Sequence, residues 1–210
     1  MKKQYFVAVV VSLVLAAFLV PTTAMAADQI IKSTGDQAYA NYSSTVGCID
    51  TSVWVSAYEQ AWASPPPKGE STAISEVYMQ FDSRNRCTPD EWRYGYVSAP
   101  LAPSDFVVTQ GSATLNAIVT LPIYDQSGGV VTEDVLINLS WSATGPASRN
   151  VFTSKISSPH CKISSRASGT NYPASVTGSI SDGTTDFASG LSGAGIGSFK
   201  SASTTIGCGL

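Results

Sequence analysis

The sequence predicts an all-β protein: an antiparallel β-sandwich of jelly-roll or immunoglobulin-like packing, stapled by disulfides and with little helix. Three observations carry that expectation. Apolar and polar residues alternate in several separate runs, and turn residues punctuate the gaps between them. Charged residues make up only 13 % of the 210-residue chain, against a globular average of ~25 %. Alternation at period two marks half-buried antiparallel strands, and sparse charge disfavours coiled coils and long surface helices.

The chain opens with a stretch that reads as a signal rather than as part of the fold. Lys2 and Lys3 form a short positive region of the bacterial kind, residues 5–20 are apolar apart from Ser12, and Pro21 breaks the run. Ala24-Met25-Ala26 then offers small residues where a signal peptidase reads, so cleavage is expected after Ala26. An uncleaved anchor is the rival, because the 24 residues 4–27 carry no charge and ~20 suffice to span a bilayer. After cleavage no transmembrane segment is expected. The location predicted is secreted, periplasmic or cell-surface. Asn41-Tyr42-Ser43 and Asn138-Leu139-Ser140 are sequons that matter only in a eukaryotic host.

Four runs supply the strands. Ile49, Val53, Val55 and Ala57 share one face, with Asp50, Ser52, Trp54 and Ser56 on the other. Val77, Met79 and Phe81 alternate with Glu76, Tyr78, Gln80 and Asp82. Ala113, Leu115, Ala117, Val119 and Leu121 form a third set, and Val135, Ile137, Leu139 and Trp141 a fourth. Between them, Pro65-Pro66-Pro67-Lys68-Gly69 marks a stiff loop over 65–70, ending at Glu70, and Gln126-Ser127-Gly128-Gly129 reads as a hairpin turn. Only 36–42 and 89–92 are compatible with short helices.

Beyond residue 142 the composition shifts. Residues 143–210 contain 15 Ser, 8 Thr and 10 Gly, 33 of 68 positions, yet Ile156, Ile163, Val176, Ile180, Phe187, Ile196 and Ile206 punctuate them. We read short, polar-faced strands packed thinly through small residues. The glycines of 190–197 are either the most mobile part or a strand with close backbone approach. The expected organisation is a signal at 1–26, a lead-in segment at 27–45 and a β-sandwich domain at 46–210. Two small β domains, 46–105 and 106–210, are the alternative.

Cys48, Cys87, Cys161 and Cys208 are an even set in an exported chain, which implies disulfides. One staple per half, 48–87 and 161–208, is the expected pairing. The spacing lacks the close Cys pairs of a structural zinc site, so no metal is expected. No cofactor is expected either.

Chemistry is scarce. Lys+Arg 12 against Asp+Glu 15 gives a net charge of −3, or −5 once the two signal lysines are gone. That balance supplies no electrostatic footprint for nucleic acid. His160, the one histidine, precedes Cys161 and is read as structural or exposed. No G-x-S-x-G elbow accompanies it, since Ala194 follows Gly190-Leu191-Ser192-Gly193. Glu133 and Asp134 are adjacent and face opposite sides of a strand; Asp90-Glu91 reads as a solvated turn. Asp182 and Asp186 flank a glycine turn and have oxygens suited to calcium, without an EF-hand pattern.

The aromatics are more suggestive. Trp54, Tyr58 and Trp62 fall in or after one run, and Trp92, Tyr94 and Tyr96 alternate in another. These six are the predicted binding residues. They form one aromatic platform for a glycan or a protein partner if their two strands lie side by side; the competing use is a second core layer. The function expected is that of an exported, non-catalytic β-sandwich with a binding or structural role. The alternatives are a secreted hydrolase using His160 or a carboxylate pair, and a secreted effector or inhibitor presenting the 65–70 loop.

Overall fold

A computed structural model describes residues 29–63, 71–88, 91–158 and 161–206. Ten antiparallel strands account for nearly all of them: β1 (Gln29–Val46), β2 (Ile49–Ala63), β3 (Ser71–Asn85), β4 (Trp92–Pro100), β5 (Phe106–Thr109), β6 (Ser112–Asp125), β7 (Val130–Ala143), β8 (Ser148–Ser158), β9 (Cys161–Ser181) and β10 (Leu191–Ile206). There is no helix among the described residues, so none is long and apolar enough to cross a membrane.

The ladder runs β10-β1-β2-β3-β4-β6-β7-β9-β8, with β5 paired onto β6. Strand β9 also pairs with β10, so eight strands join into a ring. Two walls of that ring face each other as the layers of a sandwich do. Short β5 packs from the second wall against β1 and β2 of the first. The indole Nε1 of Trp141 on β7 donates across the interior to the Tyr39 carbonyl on β1, at 2.8 Å.

Alternation explains the core. Val53, Val55 and Ala57 point inward from β2, and Val77, Met79 and Phe81 from β3. The opposing wall sends in Leu115, Val119 and Leu121 from β6, with Val135, Ile137, Leu139 and Trp141 from β7. One contiguous cluster includes Ala38 at one end of the chain and Ile196 at the other, so it draws on both sides of residue 105. Ile49 departs from its run: it begins β2 at the rim and stays 39 % exposed.

One local expectation is corrected, and one pair of alternatives is decided. The stretch 36–42, read as compatible with helix, lies within β1. Ala38, Ala40 and Tyr42 alternate inward there while Tyr39 and Asn41 point out, which is strand periodicity. For the same reason the lead-in segment is, from Gln29 onward, a strand paired on both edges by β2 and β10. The glycine cluster is the second half of the expectation rather than the first: Gly193, Gly195 and Gly197 belong to β10. Buried Gly195 lies under the Tyr39 ring, which a Cβ would approach to 2.8 Å.

Near β9 the ring is finished by a plug. Only residues 162–173 of β9 pair with β10, which leaves a gap beside the later half of β9. The segment 182–190 fills it, with Phe187 inserted edge-on against Phe81 at 5.5 Å. Beyond the ring, β8, the first half of β9, the second half of β10 and the start of β1 run on together as an open sheet.

Cys48 and Cys87 are bonded, clamping the β1–β2 turn to the end of β3. Cys161 is also disulfide-bonded. Its expected partner, Cys208, lies outside the described residues, as do the signal at 1–26, the loop 65–70, Asp90 and His160.

Candidate functional site

The six predicted aromatics all come from β2 and β4, and these strands are not neighbours. Strand β3 lies between them, so the side-by-side platform expected from the sequence is not formed. What bridges the outer face instead is β3 itself. Cross-strand register sets Trp54 opposite Gln80, and Gln80 opposite Tyr96. Tyr78, one step along β3, meets the Trp54 ring edge-on at 6.0 Å. Burial, then the neighbouring Tyr96, pushes the Tyr78 phenol above its usual range.

The rings fall into three groups. Tyr58 is tied into a polar pair, donating to Glu76 Oε2 at 2.5 Å, and burial followed by that hydrogen bond raises its phenol strongly. Trp62 is half-buried near the far end of β2, away from the others. Trp54, Tyr78 and Tyr96 hold the middle of the face. Trp92, Tyr94 and Tyr124 form the third group: Trp92 and Tyr94 lie 5.3 Å apart, and Tyr94 stacks on Tyr124 at 5.1 Å with planes 20° apart.

This third group is the best-formed site. Trp92 and Tyr94 are 37 % and 39 % exposed although each touches another ring. Beyond Trp92 lies a shallow depression of about 300 Å³ at the rim of the ring. Ile49, Ser83, Asn85, Arg93 and Asp125 line it from the face opposite to Tyr94 and Tyr124, and of the stack only Trp92 borders it. The turn that borders it is held rigid by one carboxylate. Asp125 Oδ1 accepts the backbone N–H of Ser127 at 2.8 Å and of Gly129 at 2.9 Å. The Ser127 hydroxyl, then these two N–H groups, hold the Asp125 carboxyl below its usual range. Gln126 Oε1 in turn accepts the Trp92 N–H at 3.1 Å, fixing the start of β4.

Sequence reasoning missed Tyr78 and Tyr124. Tyr78 was visible on the polar side of its alternating run. Tyr124 gave less signal, because its role depends on the β4–β6 pairing that sets it opposite Tyr94.

Two acidic groupings lie elsewhere on the molecule. Asp182 is occupied as a turn cap: Oδ1 accepts Thr185 N–H at 2.6 Å and Thr184 N–H at 2.7 Å, and these bonds, Thr185 first, lower its carboxyl to about 2. Asp186 caps Ala188 in the same manner, at 2.9 Å. Asp36 and Glu59 face each other across β1 and β2. Burial raises both carboxyls; Lys200 partly offsets this for Asp36, and the Asp36 charge adds to it for Glu59. Among the described residues no group of three or more His, Cys, Asp or Glu could hold a metal ion.

No protein-family model matches the chain, and no curated protein matches it. One solved structure, the enduracididine biosynthesis enzyme MppR complexed with pyruvate, is similar over 93 % of each chain, at 10 % identity and a TM-score of 0.30. A likeness that faint bears on neither the fold nor the chemistry of this protein.

Proposed function

We propose that the protein is exported and works without catalysis, binding a glycan through the aromatic end of its outer face. The observation that carries this reading is the exposed Trp92–Tyr94–Tyr124 stack, whose Trp92 end borders a depression at the rim of the ring with Ser83, Asn85, Asp125 and Gln126 in its lining. Ring faces pack against the C–H faces of sugars, while amide, hydroxyl and carboxylate groups around them meet sugar hydroxyls. Export is supported by the charge, hydropathy and A-x-A pattern of residues 1–26 and by the disulfides.

Calorimetric titration with a panel of soluble oligosaccharides tests the binding. Trp92→Ala and Tyr94→Ala are each expected to weaken a positive glycan at least ~10-fold, since anchors of this kind cost over ~2 kcal/mol when truncated. Their melting temperatures are expected to stay within about 3 °C, because neither ring serves the core. A fall of both melting points with unchanged affinity would assign the stack to stability and overturn the reading. Turnover of esterase, protease or glycosidase substrates that Asp36→Asn abolishes would overturn the non-catalytic half.

A further inference from the structure

We propose that the open sheet beyond the ring carries a second binding face, built for a linear polysaccharide bearing sulfate, phosphate or carboxylate groups. The nine lysines and arginines among the described residues divide sharply. Arg84, Arg86 and Arg93 lie at the other end of the molecule and are paired with Asp82, Asp50 and Glu133. The remaining six, Lys32, Arg149, Lys155, Lys162, Arg166 and Lys200, are all exposed, and none has an ion pair among the described residues.

Strand geometry puts those six on one side. Side chains alternate between faces along a strand, and the β8–β9 and β9–β10 ladders run without a register shift. Thr153 of β8, Arg166 of β9, Ala202 of β10 and Lys32 of β1 therefore share one row of one face. Lys200 belongs to the row on one side of it, Lys155 to the row on the other, and Lys162 to the row beyond Lys155. Each step along Lys32–Lys200–Arg166–Lys155–Lys162 crosses one strand and one row, about 8 Å. The result is a zigzag of five cations, with Arg149 set apart nearer the ring.

What surrounds the track defines the ligand. Strands β8, β9 and β10 contain no acidic residue, and the carboxylates on this face are Asp36 and Glu59 at its ring end. Ser164, Ser168, Thr34, Thr153 and Thr204 stand between the cations, hydroxyls suited to hydrogen bonds with sugars. No aromatic side chain occupies the cationic rows, so a nucleic acid would find charge but no stacking platform. The exposed apolar residues Phe152 and Ile156, 55 % and 59 %, project from the opposite face. On the cationic face Val151, Ile30 and Ile206 stand singly on three different strands and in three different rows, so no continuous apolar strip accompanies the cations into a bilayer. The opposite face of β8–β10 carries no charge at all.

The test measures binding of the exported protein to dextran sulfate, with neutral dextran, a 20-base-pair duplex DNA and phosphatidylglycerol vesicles as separate probes. Dextran sulfate is expected to bind, with affinity falling linearly on a log–log plot against salt, and neutral dextran is expected not to bind. The triple variant Lys155→Gln/Arg166→Gln/Lys200→Gln is expected to lose about 10-fold or more in affinity and roughly half the salt slope. Arg84→Gln, which removes a charge from the other end, is expected to stay within about two-fold. Should the triple variant fail to fold by circular dichroism, Arg166→Gln and Lys155→Gln are tested singly, each with an expected loss of about three-fold. Retained affinity in these variants, or DNA or vesicles binding as tightly as dextran sulfate, would overturn the proposal.

Discussion

Strands β6 and β8 are built from the same backbone geometry and have opposite surroundings. Along β6 every second side chain from Ala113 to Ile123 is buried, whereas on β8 ten of eleven residues are exposed and Ser154 is half-buried. β6 is held by what its inner face touches. β8 is held by its hydrogen bonds to β9, with little apolar burial behind them. Pairing alone makes a strand, but only packing makes a strand expensive to lose. The ring should therefore govern global stability, and the open sheet should accept changes on its surface and offer that surface to ligands.

The largest expected difference comes from matched aromatic truncations. Trp141→Ala removes a 1 % exposed ring from the core together with its bond to the Tyr39 carbonyl. It should cost about 3–5 kcal/mol in urea unfolding with the disulfides intact. Phe152→Ala on β8 should fall within about 0.5 kcal/mol of the parent. Comparable losses in the two variants would break the division between ring and open sheet.

Removing the clamp at the base of the ring comes next. Cys48 and Cys87 are 39 residues apart in sequence, and closing a loop of that length is worth about 4 kcal/mol in the chain-entropy model, with 2–4 typical in practice. The Cys48→Ser/Cys87→Ser variant should lose stability in that range. A loss below about 1 kcal/mol would mean that the wall-to-wall packing already holds this end without it.

Glycines sharpen the contrast between the neighbouring strands β1 and β10. A Cβ at Gly35 would come within 2.4 Å of the Glu59 carbonyl and 2.5 Å of the Phe199 ring, while at Gly193 it would meet nothing within 4 Å. Gly35→Ala should therefore cost about 1–3 kcal/mol by overpacking, and Gly193→Ala should stay within about 0.5 kcal/mol. Equal effects would show that the close approach of β1 to its neighbours relaxes freely.

These contrasts also explain what was legible in the sequence. Runs such as 113–121 and 135–141 announced their faces because a core selects large apolar residues at every second position. Residues 36–42 were not legible as strand because Ala38 and Ala40 are small and Tyr42 is amphipathic, so the inward side of β1 carries a weak alternation. The aromatic residues were legible one by one, but their grouping was not. Tyr94 meets Tyr124 through a pairing that skips β5, and nothing local encodes that choice. The cationic face was hidden for a different reason: net charge averages over the chain, and a balance of −3 conceals six like charges on one side of a sheet.

The smallest effect expected under ordinary conditions concerns Tyr42, which lies where β1 meets the 182–190 plug. Its phenol is 4 % exposed, and burial first, then the nearby Asp186 charge, raises it to about 12. In the unfolded chain the same group ionises near pH 10. Below pH 10 both states keep the proton, so the native preference for neutral tyrosine is fully present. Between about pH 10 and 12 the unfolded state ionises first, and stability falls by up to about 1.4 kcal/mol per pH unit from this group. Tyr58 and Tyr78 are raised too and add to the loss. Tyr42→Phe removes only the Tyr42 share, so unfolding free energy measured from pH 9 to 12 should decline less steeply than in the parent. Phe152→Ala, in the open sheet, should follow the parent curve. A Tyr42→Phe curve parallel to the parent would place the alkaline sensitivity on the outer face rather than at the seam of the ring.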